Sequence, residues 1–314
     1  MKAGSGQIHG AIPQVYLSAF TTGDLRVSLH GRRVRVEASS THPAQLELVG
    51  RFFDPYRKRI AYPIETPRGW AWRFVYDLGP AFSFLLDARS RTYAALRSKR
   101  QFYVAMAGLI DSEGHVGLLK SGSRIRPVIA VSNSDTKLIK LIAGSLLARG
   151  YHVSVQRFRP LDSVPQSEVF LYGKSAIRLS NKLILRHREK IEARDIVVHS
   201  LETPQKAHSR YLQLRRRIKH ERNLCVQDAR RAYLQRGLRR QERVDAYVEF
   251  AETALDLRLA GKSIQEIGIS LERSERTVYR LLRRADDARK PERETEQAHR
   301  PKKSLLAKTC IQSR

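Results

Sequence analysis

Two carboxylates, Asp111 and Glu113, stand at the foot of an apolar run in "FYVAMAGLIDSEGHVGLL", residues 102–119. The pattern predicts a helix that stops at Gly114, with strand-like residues after it. Carbonyl oxygens already make a helix C-terminus negative, so two acids there are an electrostatic anomaly. A cation would remove it. Carboxylates together with free end carbonyls are hard oxygen ligands, of the kind that suits Mg²⁺. Solvation of both acids at an exposed helix end is the other reading of this stretch taken alone.

The helix itself is built for close contact. Ala107 and Gly108 remove bulk from one side, so another backbone can approach. Leu109 and Ile110 are expected to pack inward. Gly114 is expected to end the helix in the left-handed conformation.

The same order of elements occurs twice. "LSAFTTGDLRV" at 17–27 lies over "MAGLIDSEGHV" at 106–116 without a gap, so that Asp24 meets Glu113, Ala19 meets Gly108 and Val27 meets Val116. "ASSTHPAQLELVG" similarly faces "VSNSDTKLIKLIAG". Each copy reads as a helix ending in an acid, two strands, a helix, two more strands and a last helix. The copies span 12–95 and 99–200.

The chain has 314 residues and a formal net charge of +28, from 59 Lys+Arg against 31 Asp+Glu. Such a field draws polyanions, nucleic acid first among them. An anionic membrane surface ranks second, and no apolar run is long enough to span a bilayer. The first residues, "MKAGSGQIHGAIPQ", lack the apolar core of a secretion signal, so an intracellular setting is expected: cytoplasmic and nucleoid-associated, or organellar, and not secreted. Cys225 and Cys310 alone build neither a disulfide framework nor a four-Cys zinc site. There is no phosphate-binding glycine loop, HExxH or nucleophile elbow.

"AGLIDSEG" resembles the LAGLIDADG motif of homing endonucleases, with Met106 through Gly114 in its nine positions. The resemblance covers roughly residues 12–200 and implies an α+β fold of two tandem αββαββα units. These would form a pseudo-two-fold saddle on DNA, a pseudo-dimer within one monomeric chain. It implies that Glu113 and Asp24 are metal-binding acids sharing divalent ions, Mg²⁺ by expectation, one acid for each strand of double-stranded DNA. Paired metals can activate a water and stabilise the leaving 3′-oxygen of a phosphodiester. By the same resemblance, Asn133, facing Ser40 in the first copy, is the polar residue at the end of the second strand. Lys174, in "YGKSAIRL", is the lysine that holds a water or steadies phosphate, and Leu78 stands in its place in the first copy. The first copy departs from the motif: Thr22 replaces the first acid and Leu25 the glycine. Unequal cutting of the two strands, or binding without cutting, follows from that erosion.

Residues 205–243 are a basic helical linker in which Arg215, Arg216 and Arg217 are candidates for phosphate contact. Residues 244–286 read as three helices resembling a helix-turn-helix of the resolvase or sigma-like sort. Ser263 and Glu266 form a capping box, and Ser274 caps the third helix. Arg276, Thr277 and Arg280 would face the major groove. Glu272 occupies the usual turn glycine position. The tail, 287–314, lacks apolar periodicity. Three functions fit this plan: a homing endonuclease resident in an intron or intergenic element, a regulator of the WhiA kind with a retired nuclease fold, and a maturase that binds intron RNA.

Overall fold

The computed structural model describes residues 12–67, 69–158 and 166–285. The expected tail at 287–314 and Cys310 lie outside the described residues. The chain divides into two compact units, Met1–Tyr233 and Leu234–Arg314.

The first unit is a mixed α+β structure in which one order of elements appears twice. The first copy runs α1 (Gln14–Asp24), β1 (Arg26–His30), β2 (Arg33–Ser40), α2 (Pro43–Phe53), β3 (Ile60–Thr66) and β4 (Gly69–Leu78). A 3-10 segment, Pro80–Asp87, and α3 (Ala88–Arg97) close it. The second copy runs α4 (Phe102–Glu113), β5 (Gly114–Ser121), β6 (Arg124–Asn133), α5 (Thr136–Leu147), β7 (Ser154–Phe158), β8 (Gln166–Tyr172), α6 (Lys174–Ser180) and α7 (Arg188–Val198). Both sheets are antiparallel with equivalent strand orders, β1-β2-β4-β3 and β5-β6-β8-β7. The duplication read in the sequence is thus a duplication of topology.

Alternation sets the faces of each sheet. Along β2, Val34, Val36 and Ala38 are buried, whereas Arg33, Arg35, Glu37 and Ser39 turn the other way. The period of two places every second side chain on the core side. On the outward face Arg35 pairs with Asp77 directly opposite it, and Arg73 pairs with Glu37.

At the centre, α1 and α4 pack against each other through small residues. A methyl on Gly108 would fall 2.4 Å from the Tyr16 carbonyl oxygen and 3.0 Å from the Phe20 nitrogen. Gly23 faces the other helix just as closely: its Cβ would lie 2.4 Å from Ser112 Oγ. Around them Tyr16, Phe20 and Phe52 form an aromatic cluster, with centroids 5.7 Å apart for Tyr16–Phe52 and 5.2 Å for Phe20–Phe52. Edge-on aromatic packing of this kind adds about 0.5–1.5 kcal/mol per pair beyond area burial.

Each copy's closing helix clasps the other copy. From α3, Arg89 and Tyr93 bind Asp135, the N-cap of α5, the tyrosine hydroxyl donating at 2.5 Å. From the other side, Glu189 and Arg188 of α7 approach His42 and Glu47 at the start of α2, both at 3.8 Å, and Arg51 donates to the Arg186 carbonyl at 2.8 Å.

The expected linker is part of a long helix, α8 (Pro204–Leu259). Its first half belongs to the first unit rather than standing free. Ala207, Tyr211, Leu214 and Cys225 lie in that unit's core, and the Tyr233 ring packs tilted against Trp70, their centroids 4.4 Å apart. Apolar residues that look scattered among arginines in the sequence are the buried stripe of this segment.

The second unit contains the end of α8, α9 (Ile264–Ser270) and a third helix, 275–285. Ala251, Ala254, Leu255, Ile267, Val278 and Leu281 form its core. Gly261 ends α8 at φ +85°, with the Lys262 amide returning to the Leu257 carbonyl at 3.1 Å, a left-handed helix stop. The Ser263–Glu266 capping box is formed, at 3.2 and 2.7 Å. Glu272 takes φ +53°, the conformation a turn glycine would adopt.

Candidate active site

Two acids converge at the ends of the central helices. Asp24 is the last residue of α1 and Glu113 the last of α4. Together they line a cavity of about 310 Å³ with Ser39, Ser40, His42, Gln45, His187 and Lys190. Gly23 is what lets them meet, because a Cβ there would come 2.6 Å from Glu113 Cγ. Asp24 is exposed at the lip of the cavity, while its carboxylate turns inward to accept from the Gln45 amide.

The electrostatics follow from this crowding. Burial first, and then the charge of Asp24, push Glu113 up to about 7, against the opposing pull of Lys190. Burial also raises Asp24, although Lys190, Gln45 and His42 favour its ionised form. Two neighbouring carboxylates resist double ionisation, and either a proton or a cation relieves them.

The third group is Lys190, which sequence reasoning did not single out. Its ammonium donates to the carbonyls of Ile110 at 2.6 Å, Asp111 at 2.8 Å and Ser112 at 3.1 Å. The Asp111 and Ser112 carbonyls are among those that a helix end leaves without an intrahelical partner, whereas that of Ile110 also accepts from the Gly114 amide. The anomaly of acids at a helix C-terminus is therefore met by a cation from within the chain. No local signal in "HREKIE" reveals this, because the contact spans about eighty positions and depends on where α7 packs.

Gly114 does not take the left-handed conformation expected of it. Its φ is −86° and its ψ 159°, so the chain passes straight into β5. The glycine is needed for space: a Cβ would lie 2.5 Å from Ile110 Cα. Lys190 meets the Asp111 and Ser112 carbonyls there and shares that of Ile110 with the Gly114 amide.

Asp111 is not part of the acidic pair. It is buried, and its Oδ2 accepts from the Tyr16 hydroxyl at 2.5 Å and the Arg186 amide at 2.6 Å. It ties α4 to α1 and to the segment before α7. Its counterpart, Thr22, donates to the Ser18 carbonyl at 2.8 Å and meets the Thr92 hydroxyl at 3.0 Å.

The other expected residues are dispersed. Asn133 ends β6 and accepts from the Asp135 amide at 2.8 Å, a strand-end turn. It lines a second cavity, about 680 Å³, with Thr21, Thr22 and Arg89. Ser40, its equivalent, does line the acidic cavity. Lys174 is exposed at the start of α6 and is not brought to the acids. Val131 pairs with Gly114, but β8 ends opposite Val128, three residues or roughly 10 Å further along. Lys174 lies beyond that end.

Arg215, Arg216 and Arg217 are exposed on α8. Arg217 is engaged with Glu192 and, at 3.6 Å, with Glu221, whereas Arg215 and Arg216 border a cavity of about 800 Å³ beside His115, Tyr211 and Lys190. In the second unit, Arg276 and Arg280 are exposed on the third helix, Thr277 is half-buried and bonded to Ser274 at 3.0 Å, and Val278 faces inward.

Carboxylate oxygens are the donor type that Mg²⁺ prefers. The site offers two of these groups. No cluster of three or more His, Cys, Asp or Glu able to hold a metal occurs among the described residues. The pair thus fits a divalent ion in kind, as part of a coordination sphere that water or substrate oxygens would complete.

No protein-family model and no curated protein matches the chain. Solved structures do. The chain is similar to mesophilic variants of the homing endonuclease I-DmoI, at 12% identity over 54% of this chain and 93% of that one, with a TM-score of 0.37. It is also similar to the homing endonuclease I-WcaI bound to its DNA recognition sequence, at 12% identity over 61% and 95%, TM-score 0.42. A third is the LAGLIDADG homing endonuclease I-GzeII with its DNA target, at 9% identity over 65% and 97%, TM-score 0.42. Among the described residues no helix is long and apolar enough to cross a membrane.

Proposed function

We propose that the chain is a site-specific DNA endonuclease of the homing type that hydrolyses phosphodiesters with a divalent cation. The observation that carries this reading is the meeting of Asp24 and Glu113, one from each copy, at the ends of two packed helices. Asp24 and Glu113 would hold the ion, whose chemistry is to lower the pKa of a bound water and to stabilise charge on the departing oxygen. Without an ion Glu113 sits at about 7, so an ion held there would displace a proton near neutral pH. Gln45 fixes the rotamer of Asp24 by its amide bond. The net charge of +28 supplies attraction to phosphate, and Arg276, Thr277 and Arg280 supply a second contact with duplex DNA.

A second reading, a DNA-binding regulator without cleavage, is favoured by Thr22. Where α4 has a buried, multiply bonded acid, α1 has a hydroxyl. The test separates the two. The wild type with Mg²⁺ should nick or cut DNA, Glu113→Gln should bind DNA equally well without cutting, and Asp24→Asn should do the same. Wild-type protein that binds DNA and leaves it intact with Mg²⁺, Mn²⁺ or Ca²⁺ is the regulator.

A further inference from the structure

The cations of α8 are not equivalent. Between Tyr211 and Cys225 this helix buries Tyr211, Leu214 and Cys225, with Ile218 packed beside them. That stripe fixes the direction of every other side chain on the segment. On one flank stand Arg217 and Glu221, and this flank is neutralised within the fold. Arg217 holds Glu192 and, at 3.6 Å, Glu221, which also accepts from Arg188 at 2.7 Å. On the other flank stand Arg215, Lys219 and Arg222, with Arg216 next to them. All four are exposed, and among the described residues none has a hydrogen-bond or ion-pair partner.

Spacings of four and three place Arg215, Lys219 and Arg222 in one row on the helix. The row is about 10 Å long, at about 1.5 Å per residue. One strand of a duplex advances about 3.4 Å per phosphate, so the row faces about three phosphates and suits a polymer better than a single anion. It borders the cavity of about 800 Å³. Gly114 and His42 line this cavity and the acidic one alike, so the two adjoin directly after Glu113. The one carboxylate of the larger cavity among the described residues, Glu189, faces His42 at 3.8 Å. A backbone that reaches the acids therefore passes beside unpaired cations.

We propose that Arg215, Lys219 and Arg222, with Arg216, form a phosphate-binding ridge that holds the sugar-phosphate backbone of duplex DNA beside the acid pair. Contacts of this kind fix where the DNA lies and carry no sequence information. The ridge divides the three arginines of "RRR": Arg215 and Arg216 belong to it, whereas Arg217 is held in the fold. The choice of DNA as its partner rests on the endonuclease reading above; the row of unpaired charge does not.

The experiment is equilibrium binding of the full chain in EDTA, by fluorescence anisotropy across a salt series. The ligands are short labelled duplexes of two unrelated sequences and a hairpin RNA. The ridge variant carries Arg215→Gln, Lys219→Gln and Arg222→Gln. A control of equal charge carries Arg97→Gln, Lys99→Gln and Arg100→Gln, exposed cations around the start of α4, at the end opposite the acids. Both sets are exposed, so neither change touches the core. Losing three phosphate contacts should lower the slope of log affinity against log salt by about 3, equally for both duplexes. The control should keep the wild-type slope. A ridge variant with the wild-type slope overturns the proposal, and so does a control that loses as much. A loss confined to one duplex sequence overturns it, because that is base reading, and a loss confined to the RNA overturns it by changing the partner. Cutting with Mg²⁺ is read separately in the wild type. A wild type that cuts, beside a ridge variant of unchanged slope, removes the ridge alone. A wild type that never cuts removes the endonuclease reading and leaves the slopes to decide the ridge.

Discussion

At the residue scale, the acidic pair has a signature in pH. Glu113 sits at about 7 in the folded chain, above its ordinary value of 4.5, because burial and Asp24 disfavour its charge. Between those values the folded state binds more protons than the unfolded one, so this residue's contribution makes stability fall as pH rises from about 4.5 to 7. In metal-free buffer, unfolding followed from pH 4.5 to 8 should show that fall, and Glu113→Gln should flatten it. Tyr16→Phe tests a neighbouring bond. Its hydroxyl is one of two donors to the Asp111 Oδ2, and Asp111 Oδ1 already lacks a protein partner. Removing it should cost about 1–3 kcal/mol, measured by denaturant unfolding. The acids themselves were legible in the sequence, because motif spacing fixes which residue ends a helix. Lys190 was not, because nothing local marks a lysine whose partners lie in another helix. Lys174 stands at the start of α6, outside the lining of the cavity that holds the acids, whereas α7 carries Lys190 into it.

At the element scale, the central question is how closely α1 and α4 pack. Gly108→Ala would push a methyl to 2.4 Å from the Tyr16 carbonyl. Backbone cannot step aside as a flexible side chain can, so the change should destabilise by about 1–3 kcal/mol or more and weaken any cleavage by separating Asp24 from Glu113. Denaturant unfolding and nicking rates check the two effects. In the second unit Glu272 holds φ +53° without being glycine. Glu272→Gly should raise that unit's melting point, by about 1 kcal/mol in stability. The sequence exposed this position plainly, since a glutamate stood where a turn glycine was expected. The small-residue face of α4 and the order of elements in each copy were legible too. They rest on periodicity and duplication, signals that local chemistry preserves. The helix over 205–243 was legible, whereas the stripe that it buries, Ala207, Tyr211, Leu214 and Cys225, depends on what α8 packs against.

At the scale of the whole molecule, charge is the dominant fact. A chain of net charge +28 should bind duplex DNA with an affinity that falls roughly 10³-fold or more between about 50 and 200 mM salt. Arg276→Ala and Arg280→Ala should each weaken binding to a preferred site by about 1–3 kcal/mol if the third helix of the second unit enters a groove. Unchanged affinity would make that helix a packing element. Composition announces such binding without saying what happens to the bound DNA, which depends on two carboxylates meeting. The most direct measurement is to incubate the chain with Mg²⁺ and a randomised duplex library, capture the bound fraction and sequence its ends. The account predicts ends clustered at one sequence for the wild type, and the same bound sequences left uncut by Glu113→Gln. Bound DNA that stays intact with the wild type, or cutting that persists in Glu113→Gln, would contradict it.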